Sequence, residues 1–150
     1  MFRKVAYLSL LIVVLLTVTT VVSWAGQCSS QTIKGNWVAF EQGTAVTPDA
    51  PPLSVVIVAN VTFDGAGNLS GTYRASIAGV TSVENGTLTG TYTVNPDCSY
   101  SDFFTPSPNL LGSGPAHHTG FITGEGILQE AHYIYSDAGA SAISGTAKRQ

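Results

Sequence analysis

Strict alternation of apolar and polar residues over long runs constrains what this chain is able to fold into. From Leu53 to Phe63 the odd positions are Leu, Val, Ile, Ala, Val and Phe, and the even ones end in Asn60 and Thr62. A period of two sends successive side chains to opposite faces of a strand, so this run has one wholly apolar face. Asp64-Gly65-Ala66-Gly67-Asn68 follows. Its Gly and Asn tolerate positive φ and predict a tight reversal. The return run sets Leu69, Gly71, Tyr73, Ala75 and Ile77 against Ser70, Thr72, Arg74 and Ser76. Glu84-Asn85-Gly86 reads as a second turn, after which Leu88, Gly90, Tyr92 and Val94 alternate with Thr87, Thr89, Thr91 and Thr93. Tyr73 and Tyr92 should therefore point inward and the threonines to water.

Further strands are expected near Lys34–Glu41, Ser99–Thr105, His118–Thr123, Ile127–Tyr135 and Ala142–Lys148, about eight in all. No segment of comparable length offers a 3.6 period, and the fold class is all-β. Three short echoes, Leu69-Ser-Gly-Thr-Tyr73, Leu88-Thr-Gly-Thr-Tyr92 and Ile143-Ser-Gly-Thr-Ala147, each carry a glycine in phase with the apolar residues. Glycine weakens a strand interior, so its recurrence on the inward face marks sharp bends or places where a ring packs over the backbone. Small barrels need such points to curl and close. Turns every eight to twelve residues fit a sandwich as well. Short links between sequential strands favour an antiparallel up-and-down barrel of about eight strands. Two longer stretches, Gln42–Pro52 and Pro106–Ala116, read as loops of the kind that edge a barrel mouth.

The N-terminus bears Arg3 and Lys4, an apolar or hydroxyl run from Val5 to Val22, and Ser23-Trp24-Ala25. That order is the pattern of a secretory signal, with cleavage expected after Ala25. The run is long enough to approach a bilayer span of roughly 20 residues, so a retained anchor is the alternative. Residues 26–150 are then one domain, secreted or periplasmic, with no membrane attachment after cleavage. This domain keeps four cations against nine acidic residues, a formal charge of −5, which repels phosphate backbones and argues against nucleic acid as a partner. Cys28 and Cys98 both fall in it, and the compartment beyond an export signal is usually oxidising. A disulfide between them is expected.

Three stretches, Val61-Thr-Phe-Asp-Gly-Ala-Gly-Asn-Leu-Ser-Gly-Thr72, Gly90-Thr-Tyr-Thr-Val-Asn-Pro-Asp-Cys98 and Ile143-Ser-Gly-Thr-Ala-Lys-Arg149, resemble a group of small secreted bacterial proteins of unknown function. The resemblance implies a lipocalin-like or allene-oxide-cyclase-like barrel. It carries turn and strand signatures and no catalytic residues.

Reactive chemistry is sparse. His117 and His118 are neighbours, which in a strand face opposite ways and do not share one ion. His132 and Glu130 share a face and, with a loop histidine, are the nearest approach to a metal site. Their spacing matches no usual zinc pattern, and neither metal nor cofactor is expected. There is no Gly-x-Ser-x-Gly for a hydrolase. Asp102 alternates with Tyr100 and Phe104, and Gln129 with Ile127, Ala131, Tyr133 and Tyr135. Such groups either meet solvent at a barrel end or orient a ligand from within. The aromatic set either fills the barrel or lines a cavity in it. The residues that would meet a small apolar ligand are Trp37, Tyr73, Tyr92, Asp102, Phe104, Gln129 and Tyr133. A non-catalytic binding barrel is the leading functional reading. A cyclase- or isomerase-type enzyme acting on an apolar substrate, and a structural or adhesive envelope protein, are the alternatives.

Overall fold

In a computed structural model of the protein, residues 28–47, 50–109, 115–137 and 141–150 are described. The expected signal, residues 1–25, lies outside them. Eight strands follow in chain order: β1 Gly35–Thr47, β2 Ala50–Phe63, β3 Asn68–Ile77, β4 Val80–Val94, β5 Ser99–Ser107, β6 Ala116–Thr123, β7 Glu130–Tyr135 and β8 Ser141–Arg149. Each pairs antiparallel with the next, and β8 returns to β1, so the sheet closes into the expected up-and-down barrel. Closure leaves no strand edge unpaired among the eight.

Alternation decides which side chains enter. Val55, Ile57, Ala59 and Phe63 of β2, Leu69, Tyr73 and Ala75 of β3, and Leu88 and Tyr92 of β4 are buried. Thr72, Thr87, Thr89, Thr91 and Thr93 are exposed. A row of directly paired inward residues runs Tyr100, Gly120, Tyr133, Gly145, Glu41, Ile57 around β5, β6, β7, β8, β1 and β2. From Tyr100 to Glu41 large and absent side chains alternate in it, as a narrow interior requires. A Cβ added at Gly145 would stand 2.6 Å from the Tyr133 ring, and one at Gly86 would stand 2.3 Å from the Tyr73 ring. Both glycines are places where a ring lies flat on backbone.

Four segment boundaries differ from the sequence reading. Glu84-Asn85-Gly86 is inside β4, because Gly86 serves as the seat for Tyr73 rather than as a turn. The reversal is Ala78-Gly79, with φ of 52° and 82°, the paired positive values of a tight hairpin turn. Gln42–Pro52 is not a long loop, since β1 extends to Thr47 and β2 begins at Ala50. Ile127 does not start a strand: Gly126–Leu128 is a 3-10 turn, Ile127 and Leu128 are exposed, and β7 begins at Glu130. Pro106 and Ser107 belong to β5 and Ala116 to β6, which shortens the second loop; residues 110–114 lie outside the described part.

One barrel end is plugged. Residues 28–34 cross it, with Ile33 buried and the Trp37 indole N–H donating to the Ile33 carbonyl at 2.8 Å. Cys28 and Cys98 form the expected disulfide, their Cα atoms 5.0 Å apart. Arg149 ties the end of β8 to the plug by donating to the Lys34 carbonyl at 2.6 Å and to Gln129 Oε1 at 2.9 Å. Such a bridge fits an oxidising compartment.

Candidate functional site

A cavity of about 320 Å³ occupies the barrel interior. It reaches from Ile33 and Trp37 at the plug to Pro106, Asn109 and Pro115 at the opposite end. The barrel is therefore hollow, and the aromatic residues line the space at least as much as they fill it. Its walls are mostly apolar, and no lysine or arginine among the described residues contributes to them.

The polar part of the wall is concentrated at Glu41, Asp102 and His118, all buried. Direct pairing of Asp102 with His118 across β5 and β6 puts both side chains on the inner face at one level. His118 Nδ1 stands 3.2 Å from Asp102 Oδ1, and Nε2 stands 3.9 Å from Glu41 Oε1. The imidazole thus lies between two carboxylates. The Nδ1 contact with Asp102 is an ion-pair contact, and Asp102 Oδ1 and His118 Nε2 are both buried without a hydrogen-bond partner among the described residues. Orphaned buried polar atoms of this kind are uncommon and costly, about 1–3 kcal/mol each.

Glu41 is held differently. Tyr133 donates to its Oε1 and Tyr135 to its Oε2, each at 2.9 Å. The Tyr133 bond spans the side-chain-free position at Gly145, which sits between the two residues in the paired row. Aromatic rings enclose His118: Tyr135 at 4.3 Å, Tyr133 at 4.5 Å and Phe104 at 4.8 Å between centroids. Burial alone would push the imidazole pKa down, but Asp102 and then Glu41 outweigh it and hold it above the ordinary value. Burial first, and the nearby Glu41 second, push the Tyr133 and Tyr135 hydroxyls far up, so both remain donors. A protonated His118 offers a donor at Nε2, on the Glu41 side of the ring, and a neutral one that keeps its proton on Nδ1 offers an acceptor there. Either form suits the polar head of a bound molecule or a proton transfer to it.

Five of the seven residues expected at a ligand site line this cavity: Trp37, Tyr73, Asp102, Phe104 and Tyr133. Tyr73 also donates to the Pro108 carbonyl. The other two sit at the plug. Tyr92 is buried edge-on against Phe63, and its hydroxyl accepts from the Gly65 N–H at 2.8 Å and donates to the Ser30 carbonyl at 3.1 Å. Gln129 is engaged by Arg149. Sequence reasoning missed Glu41 and His118. Yet Glu41 is in phase with Trp37, Ala39 and Ala45, and His118 with Ile122, all buried. Extending the alternation through a charged residue would have found both. Glu130 and His132, by contrast, lie together beside Lys148, whose Nζ is 2.7 Å from Glu130 Oε1. That pair is occupied by a cation and remote from His118 on the opposite, inward face, so it does not join a loop histidine as a metal site.

No protein-family model matches the chain, and no curated protein matches it. Among solved structures it is similar to a de novo designed fluorescence-activating β-barrel, at 16% identity over 81% of this chain and 96% of that one, with a TM-score of 0.47. It is also similar to two redesigned barrels bound to DFHBI. mFAP0 is 19% identical over 79% of this chain and 100% of that one, with a TM-score of 0.47, and mFAP1 is 18% identical over 80% and 97%, with a TM-score of 0.46. This likeness concerns the barrel fold alone. Of the lipocalin-like or cyclase-like barrel, what the strand pairing supports is an eight-stranded antiparallel barrel.

Proposed function

We propose that this chain is an exported binding barrel that takes a small, largely apolar molecule into its interior, with one polar group of that molecule against His118 and Asp102. The observation that carries this reading is the cavity of about 320 Å³ with two unpartnered buried polar atoms on a mostly apolar wall. Ligand pockets begin at roughly 300 Å³ and combine apolar lining with a few convergent polar groups. The volume equals that of on the order of ten waters, the scale of a one- or two-ring compound. Export rests on the N-terminal pattern. Terminal sequencing of protein recovered from the exporting host should begin at Gly26, and a full-length membrane-embedded chain would refute removal of the signal.

Titration with 1-aminoanthracene, a neutral probe whose emission rises in apolar surroundings, tests the cavity. Saturable uptake at one probe per chain is expected, and Ala59→Trp, which adds an indole to the cavity wall, should abolish it. Absence of uptake by the folded wild type sinks the reading.

The enclosure of His118 by three rings, with a carboxylate at Nδ1, favours one second reading, an acid–base isomerase or cyclase. Under it, a bound compound incubated with the wild type would be recovered chemically rearranged, and incubation with His118→Gln would return it unchanged.

A further inference from the structure

We infer that the molecule this cavity takes is an organic cation, a ring compound bearing a protonated amine that pairs with Asp102 Oδ1. The inference rests on the binding reading and adds the class of ligand. Two carboxylates, Glu41 and Asp102, face one imidazole across the cavity wall. Carboxylates therefore outnumber cationic groups in either form of His118, and no lysine or arginine among the described residues lines the space to restore balance.

The two carboxylates are not equivalent. Glu41 receives two tyrosine hydroxyls, one on each oxygen, and needs nothing more. Asp102 Oδ1 is buried and receives no hydrogen bond, its one close cationic neighbour among the described residues being His118 Nδ1 at 3.2 Å. A buried carboxylate oxygen left in that state is completed by a donor that also carries charge, since desolvation is offset only by an opposite charge in hydrogen-bonding contact. An anionic ligand meets the reverse situation, with two carboxylates against it. A neutral alcohol supplies a donor without the charge. The rest of the wall suits a cation too: Trp37, Tyr73, Tyr100 and Phe104 present rings to the same space, and ring faces attract ammonium groups.

His118 gives the site a dependence on pH. The groups facing it are Asp102 and Tyr100 from β5, Glu41 from β1, Tyr133 and Tyr135 from β7, and Asp137 just beyond β7. All are acidic or neutral, so among the described residues the imidazolium is the cation that an incoming amine must compete with. Losing the His118 proton removes that competitor. Amine affinity should rise with pH as His118 deprotonates.

Three compounds of nearly equal shape separate the possibilities: tryptamine as the cation, tryptophol as the neutral alcohol and indole-3-acetate as the anion. Calorimetric titration of the full mature chain at pH 7.5 should show tryptamine binding at least tenfold more tightly than tryptophol, with indole-3-acetate weakest. Asp102→Asn should lower tryptamine affinity at least tenfold and tryptophol affinity by less, so that the preference for tryptamine is lost. Should Asp102→Asn fail to fold, Glu41→Gln gives the second measurement, with a smaller loss confined to tryptamine. Equal or tighter binding of tryptophol or indole-3-acetate overturns the amine assignment and leaves the binding reading intact. The same holds if 1-aminoanthracene enters and none of the three compounds does. If neither the probe nor the compounds bind, the binding reading falls and the amine assignment with it.

Discussion

Replacing Gly145 with alanine should cost far more than a single methyl group ordinarily does. The new Cβ would stand 2.6 Å from two carbons of the Tyr133 ring and 2.7 Å from its hydroxyl oxygen. That ring is not a loose end, because its hydroxyl donates to buried Glu41 and its face packs against His118. Either the ring moves or β8 moves. Overpacking of a tight interior costs about 1–3 kcal/mol. Losing the Tyr133–Glu41 bond adds about 1–2 kcal/mol. The reduced freedom of an unfolded chain with alanine offsets about 0.4–1 kcal/mol. A net loss of about 2–4 kcal/mol results, large beside the 5–15 kcal/mol that typically holds a domain together. In urea, where the slope is about 1–3 kcal/mol per molar, the midpoint should fall by roughly 1–2 M. The decisive assay is a double-mutant cycle with Tyr133→Leu, which shortens the side chain over position 145. In that background Gly145→Ala should be nearly neutral. An equal loss in both backgrounds would show that the glycine is needed for backbone reasons and that the ring above it is incidental.

Tyr92→Ala should destabilise by about 3 kcal/mol or more in denaturant melts, as a buried aromatic does, whereas exposed Thr91→Ala should change stability by less than about 1 kcal/mol; similar losses would mean the barrel faces are misassigned. Because the folded His118 pKa lies above its ordinary value near 6.5, its contribution is full below that pH and fades as pH rises through the folded value. Wild type should therefore lose more stability than His118→Gln between pH 6 and pH 9, and parallel pH profiles would count against the pairing with Asp102 and Glu41. Reducing the Cys28–Cys98 bridge, which closes 70 residues, should lower the unfolding free energy by roughly 4 kcal/mol, read as a shifted urea midpoint; an unmoved midpoint would show the plug to be held without it.

Much of the barrel was legible because alternation is a physical signal: one register error would bury Thr89, Thr91 and Thr93 together, and the chain avoids that at every strand. Turn residues misled where glycine had a second use. Gly86 in Glu84-Asn85-Gly86 accommodates a ring, while Ala78, a poor turn residue by composition, takes the positive φ. The site was half legible. Parity brings Trp37, Tyr73, Asp102, Phe104 and Tyr133 inward, but it does not say how far along the axis each one lies. Tyr92 and Gln129 are inward and buried yet belong to the plug, since their level depends on contacts with Ser30 and Arg149 that no local pattern encodes. Glu41 and His118 stayed hidden for the opposite reason, being charged types that are rarely buried without partners.

The plug also decides which way the molecule faces when it is held. Cys28 N–H donates to the Pro96 carbonyl and Gln150 N–H to the Asn36 carbonyl, so both ends of the described chain emerge at the same pole of the barrel. Anything joined there, whether a leader retained at residue 27, a fusion partner or a linker to a surface, hangs from the pole that Ile33 closes. The pole formed by Pro106, Asn109 and Pro115 then points away from the attachment. A chain immobilised through either terminus would stand with Pro106, Asn109 and Pro115 on its far side.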